Sequence, residues 1–188
     1  MPLRCARFEK NFTGRMEHRS FDDRISVSLV TTGETSADRT ARLANNAASD
    51  DIHVSLQRSS HGTVPGNGSA TAVRPGSVSI YATDRPYYLD YSPPDQQQFF
   101  VQVSRASLGL LAAMLEDAMR RLALPDGLQA PAARNLFTYA EEPGASSHEA
   151  AAVLRDLTSV MIRSSFQEGR ALPRTAGGLR HAVQEYLR

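Results

Sequence analysis

A mainly β domain closed by C-terminal helices is the fold class this sequence predicts, and two observations carry it. Between residues 24 and 103 the chain is rich in Val, Ser, Thr, Tyr and Gln and is broken every eight to twelve residues by Gly, Pro, Asn or Asp. That is the rhythm of short antiparallel strands joined by turns. From Ser104 onward the apolar residues recur at steps of three and four, the period of helices.

In chain order, strands are expected over residues 25–32, 40–45, 52–59, 70–74, 78–82, 87–91 and 98–103. The third alternates strictly: Ile52, Val54 and Leu56 share one face, and His53, Ser55 and Gln57 share the other. Parity says which residues share a face; it does not say which face is inside. Pro65-Gly66-Asn67-Gly68 and Pro75-Gly76 are turn sequences. Many short strands at this spacing make a sandwich or barrel, not a parallel sheet. The first helix carries the stripe Leu108, Leu111, Leu115, Ala118 and Leu122, with Glu116–Arg120 and Asp117–Arg121 four apart on the other face. Pro125-Asp126-Gly127 ends it. The second opens after Pro143-Gly144 with Ser146 and Glu149 in capping-box spacing. Its stripe is Ala150, Val153, Leu154, Leu157, Val160 and Met161, and from Ser146 it reaches about Phe166, about six turns in all, more than a small barrel's side needs. Val153, Leu154, Leu157 and Met161 are therefore assigned to a homodimer seam. A third segment, residues 179–187, places Leu179, Val183, Tyr186 and Leu187 together and carries no terminating glycine or proline, so it reads as a helix that is cut.

Composition removes several function classes. The chain has 188 residues, 41% of them hydrophobic and 22% charged, with a formal net charge of +1. That suits one domain with a real core and disfavours DNA binding by this stretch alone. A single cysteine, Cys5, excludes an internal disulfide framework and a cysteine-rich zinc site. No apolar run approaches the roughly 20 residues needed to span a bilayer. Residues 1–10 are charged and lack the apolar centre of a signal peptide, so a cytoplasmic protein with no membrane partner is expected.

Candidate chemistry is sparse. A metal-binding β barrel of the cupin type uses a His-x-His pair, a nearby Glu and a later His; here His53 and His61 are eight apart, and no Glu lies between Glu34 and Glu116. No metal and no cofactor are expected. There is no Gly-x-Ser-x-Gly elbow, and Gly66-Asn67-Gly68-Ser69 lies in an expected hairpin. No catalytic residues are assigned. What remains is a set of aromatic and polar residues on the last three strands: Tyr81, Tyr87, Tyr88, Tyr91, Phe99 and Phe100 among Gln96, Gln97, Gln98 and Gln102. A largely apolar pocket with a few convergent polar groups is the usual recipe for a small-molecule site. The expected ligand contacts are Arg42, His53, Gln57, Tyr81, Tyr88, Tyr91 and Phe100; a side-chain-filled barrel is the competing reading.

The strings Arg39-Thr40-Ala41-Arg42-Leu43, Leu56-Gln57, Arg74-Pro75-Gly76-Ser77 and Tyr81-Ala82-Thr83-Asp84-Arg85-Pro86-Tyr87 together resemble the N-terminal sensor domain of AraC/XylS-type transcriptional regulators. Phe12-x-Gly14, Val27-Ser28, Val103-Ser104-Arg105 and Leu108-Gly109 fit the same order. Ser77 and Ala82 depart from it, each standing where an Asp is common. The resemblance implies a cupin-like jelly-roll barrel followed by two to three helices. It implies a small-molecule effector, sugar or aromatic acid or phenol, bound in the barrel, and a homodimer through the C-terminal helices. DNA and RNA polymerase would be partners only of the full-length protein, an activator in the resembling family's manner, through a C-terminal helix-turn-helix domain absent from this chain. The corresponding organisation is an N-terminal arm over residues 1–22, the barrel over 23–103, a helical dimerisation region over 104–171 and the start of a linker over 172–188. Two rivals stand beside this reading. One is a metal-free isomerase or lyase using Asp51, His53 or Asp90; the other is a dimerisation module that senses nothing.

Overall fold

The computed structural model describes residues 3–46, 50–65, 70–121, 123–124, 127, 130–142 and 148–168. Eleven strands form among them: β1 (Arg4–Phe8), β2 (Gly14–Ser20), β3 (Ile25–Thr32), β4 (Thr35–Arg39), β5 (Ile52–Ser59), β6 (Gly62–Pro65), β7 (Ala70–Val73), β8 (Val78–Ala82), β9 (Tyr87–Tyr91), β10 (Gln96–Val103) and β11 (Ala123–Leu124). One sheet has the order β1-β4-β9-β6-β7 and the other β11-β8-β5-β10-β3-β2. The chain crosses between sheets from β3 to β4, β4 to β5, β5 to β6, β7 to β8, β8 to β9 and β9 to β10. Strands β3 to β10 thus make an eight-stranded antiparallel jelly roll, the cupin-like barrel expected. Residues 1–22, expected as an arm, supply β1 beside β4 and β2 beside β3.

Among the described residues four helices form, α1 (Ala41–Asn45), α2 (Ala112–Arg121), α3 (Pro131–Glu141) and α4 (His148–Glu168), of which α2 and α4 fall where helices were expected. Residues 40–45, expected as a strand, form α1 instead, because the Thr40 hydroxyl accepts from the Leu43 amide and the residues that follow are helix formers. The first helical stripe is split. Arg105–Leu108 is a short 3-10 turn, α2 begins after it, and Leu111 is left exposed between them. Helix α3 was not anticipated, although Pro131 at its first turn and the buried steps Ala133, Leu136, Phe137 and Ala140 are a helical signature. Its C-terminal carbonyls are closed from outside: Arg19 on β2 donates to the carbonyl oxygens of Ala140 and Glu142. The residues Ser146, Gly66–Gly68 and 179–187, all assigned roles from the sequence, lie outside the described residues. No helix among the described residues is long and apolar enough to cross a membrane.

The main core lies outside the barrel. Ile25, Val27, Ile52, Val54, Leu56, Val78, Ile80, Phe99, Val101 and Val103 point from the larger sheet toward Leu108, Leu115, Ala118, Leu136, Phe137, Leu154, Met161 and Ile162 of the helices. Phe99 meets Phe137 edge-on, with centroids 6.1 Å apart. Strand β5 is therefore buried on both faces, and its apolar face looks away from the barrel toward the helices. Turn residues set the geometry. Gly76, with φ +88°, closes the β7–β8 turn where an L side chain would be strained, and the Ser77 hydroxyl accepts from the Arg74 amide.

Ion pairs fasten helices to the sheets, among them Arg58 of β5 with Glu141 of α3 at 3.5 Å. Arg155 of α4 bonds Asp22 in the β2–β3 turn, and Asp22 also accepts from the Arg24 and Ile25 amides. Glu116 meets Arg85 and Arg105, and Arg105 reaches Asp84 at 3.1 Å; the side chain of Arg120, expected to pair with Glu116 along the helix, lies outside the described residues.

Candidate functional site

The polar face of β5 lines the barrel. His53, Ser55 and Gln57 stand in register with Tyr81 and Ser79 of β8 on one side and with Gln102, Phe100 and Gln98 of β10 on the other. The opposite sheet contributes Val64, Val73, Tyr87, Leu89 and Tyr91, with Ala37 packed against them. Rings crowd this space: Tyr81 lies 5.1 Å from Tyr87 in an edge arrangement, and His53 lies 5.5 Å from Tyr81 and 5.8 Å from Phe100. Burial pushes the hydroxyls of Tyr81, Tyr87 and Tyr91 well above the ordinary tyrosine range, helped for Tyr81 and Tyr91 by the neighbouring tyrosines. All three stay protonated and can donate. The Tyr91 hydroxyl is buried with no hydrogen-bond partner among the described residues.

The two ends of this interior differ. At one end three glutamines form a hydrogen-bonded cluster. Gln57 Nε2 donates to Gln96 Oε1 and to the Ser59 carbonyl, Gln98 Nε2 donates to Gln96 Oε1, and Gln96 Nε2 donates to the carbonyls of His61 and Pro93. These bonds close the barrel floor and spend both amide donors of Gln57 on the fold. At the other end His53 Nε2 is 3.1 Å from Gln102 Oε1, and Gln102 Nε2 donates to Asp51 at 2.6 Å. Asp51 and Gln102 also border an open groove of about 330 Å³, with His18, Asp22 and Ser26, that leads to solvent. Desolvation dominates the His53 imidazole and lowers its pKa to about 4, against the opposing pull of Gln102 and Asp51. The ring is neutral at physiological pH.

Of the seven expected ligand contacts, His53, Gln57, Tyr81, Tyr91 and Phe100 come together inside the barrel. Arg42 does not: it sits exposed in the first turn of α1, since its segment is helix rather than strand. Tyr88 is on the outward face of β9 and is 48% exposed. The adjacent Tyr87 points inward in its place, as parity requires once Tyr91 does. The buried cation of the barrel is Arg39, two residues after Ala37 on β4, whose Nε donates to the Thr83 carbonyl. The sequence singled out Arg42 and passed over Arg39; the helix N-cap at Thr40 was the signal separating them. On α4 the four expected seam residues divide. Leu154 and Met161 are buried against the chain's own sheet and helices, Leu157 is half-buried, and Val153 faces outward together with Val160. Among the described residues no cluster of three or more His, Cys, Asp or Glu could hold a metal ion.

The family of AraC-binding-like domains matches residues 1–166. The chain belongs to this family. As an AraC-binding-like domain it is a ligand-sensing regulatory module built on a cupin-like barrel. Its fold is similar to that of the AraC-like transcriptional activator CuxR, at TM-score 0.69 and 17% identity, over 86% of this chain and 60% of CuxR. In sequence it is similar to an uncharacterized protein in the nit 5′ region of Bacillus sp. (strain OxB-1), 32% identical over 120 residues, which cover 64% of this chain and 45% of that protein. The AraC-binding-like domain thus spans about half the length of these relatives.

Proposed function

We propose that this domain is the effector-sensing half of an AraC/XylS-type transcriptional regulator. It binds a small molecule, an aromatic acid or a phenol, in the barrel and controls DNA binding by a helix-turn-helix domain elsewhere in the full-length cytoplasmic protein. The observation that supports this best is the division of the two faces of β5. The apolar face completes the core with the helices, while the inward face presents His53, Ser55 and Gln57 to a ring-lined interior. A barrel that served only as core would carry its apolar face inward. Binding rather than turnover is favoured by the state of the acid/base candidates. His53 is neutral and buried, Asp51 is bonded by Gln102, and one carboxylate oxygen of Asp90 takes both the amide and the hydroxyl of Ser92. A thermal-shift screen of sugars, benzoates and phenols tests the effector class: stabilisation by aromatic compounds is expected, and stabilisation by sugars alone would overturn it.

Dimerisation is part of the same proposal, through the outward stripe of α4, Val153, Leu157 and Val160, spaced by four and three residues as a helix seam requires. Charging both exposed positions, Val153→Glu with Val160→Glu, is expected to halve the mass in light scattering. An unchanged mass would remove α4 from the interface. Effector binding then biases which arrangement of two such domains is populated, and so how two DNA readers are presented.

A further inference from the structure

The chain of hydrogen bonds at the His53 end narrows the chemistry of the ligand. Gln102 Nε2 donates to Asp51 Oδ2 at 2.6 Å. An ionised carboxylate only accepts, so the amide nitrogen of Gln102 is fixed toward Asp51 and its oxygen toward His53. That oxygen, Oε1, lies 3.1 Å from His53 Nε2. An amide oxygen also only accepts, so Nε2 carries the ring proton. Burial keeps the imidazole neutral, with its pKa lowered to about 4, which leaves one ring proton, already committed. Nδ1 is therefore a bare lone pair. It is buried and has no hydrogen-bond partner among the described residues, a costly state for an acceptor. The rings of Tyr81 and Phe100 flank the His53 ring at centroid distances of 5.5 and 5.8 Å. On the facing sheet the buried hydroxyl of Tyr91 is a second polar atom without a partner among the described residues, independent of the first.

We infer that the barrel takes a neutral hydroxyl group carried on a flat ring, a phenol-type compound, whose O–H donates to His53 Nδ1 while its ring packs on the aromatic lining to which Tyr81 and Phe100 belong. This rests on the reading of the barrel as an effector site and selects between the two ligand classes that reading left open. A carboxylate at the same point would set its lone pairs against that of Nδ1, so an aromatic acid without a hydroxyl is rejected there. A sugar shares the hydroxyl chemistry but not the flat apolar face that two aromatic walls favour.

Differential scanning fluorimetry of the full chain with matched probes tests the assignment: phenol, anisole (the same ring with its donor blocked), benzoate and a pentose. Phenol at ten times its Kd is expected to raise Tm by about 3–6 °C, and anisole and benzoate to leave it unchanged. Equal shifts with anisole or benzoate overturn the donor requirement while the effector reading stands. A shift with the pentose alone overturns the aromatic ring, and no shift with any probe overturns this inference and the effector reading together. Nitrogen-15 NMR of the ligand-free protein reads the tautomer directly. A protonated Nε2 with an unprotonated Nδ1 is expected, and a protonated Nδ1 overturns the argument whatever the ligand. Gln102→Met, at the half-buried barrel rim, releases the tautomer and is expected to weaken phenol about fivefold; unchanged affinity overturns the role of the Asp51–Gln102 chain.

Discussion

Leu154→Ala separates the two faces of α4. Leu154 has no exposed surface and belongs to the cluster that joins the outer face of β5 to the helices. Removing three buried carbons costs about 2.4 kcal/mol in transfer free energy. The cavity left in this cluster, whose members Leu115, Leu136 and Phe137 on the other helices are all but fully buried themselves, raises the cost to about 3–4 kcal/mol. For a domain of this size that is a fall in Tm of about 6–16 °C. The assay is a pair of measurements, a thermal melt followed by circular dichroism and the molar mass by light scattering. A large drop in Tm with an unchanged mass is expected, because Leu154 holds its own subunit together and does not face a partner. A variant that melts within about 2 °C of the parent but halves the mass would refute the placement of Leu154 in the core, and with it the face of α4 assigned to the seam.

Two further outcomes follow from the barrel. The depressed pKa of His53 means that between pH 6.5 and about 4 the unfolded chain takes up a proton that the folded one resists, so stability present above pH 6.5 is lost as the pH falls toward about 4. The loss amounts to about 3 kcal/mol in denaturant titrations, and His53→Phe should flatten that part of the curve; identical slopes for parent and variant would count against a buried neutral imidazole. At Gly62 an added Cβ would come within 2.5 Å of both the Asp90 carbonyl oxygen and the Tyr91 ring, so Gly62→Ala should part β6 from β9 at about 1–3 kcal/mol, read as a lower Tm; an unchanged melt would show that Tyr91 does not pack there.

Strands were legible where alternation and turn residues agreed. Residues 25–32, 52–59, 78–82 and 87–91 match β3, β5, β8 and β9 end to end. The strands β4 and β6 were missed because Thr35–Arg39 is almost wholly polar and Gly62–Pro65 is bounded by Gly and Pro, so neither shows an alternating apolar set. Helix α3 is hidden in the sequence by the Pro and Gly residues around it, Pro125, Gly127, Pro131, Pro143 and Gly144, which carry the signature of a loop. Within the site, parity grouped His53 with Gln57 correctly, but choosing the inner face needed the helices, whose covering of Ile52, Val54 and Leu56 is a tertiary fact. The same limit explains Arg42 and Tyr88. Each was one turn or one residue from the inward-facing group, Arg39 and Tyr87, and only the end of β4 and the direction of β9 distinguish them.

The two-sided burial of β5 has a consequence for how such a domain can change. Substituting Val54 or Ile52 disturbs the packing on which folding depends, at about 1–5 kcal/mol for each truncation. Substituting Gln57, on the other face, alters hydrogen bonds worth about 0.5–1.5 kcal/mol each. Inward positions can therefore drift through many side chains while the scaffold endures, and new ligand preferences can arise by single steps without passing through an unfolded intermediate sequence.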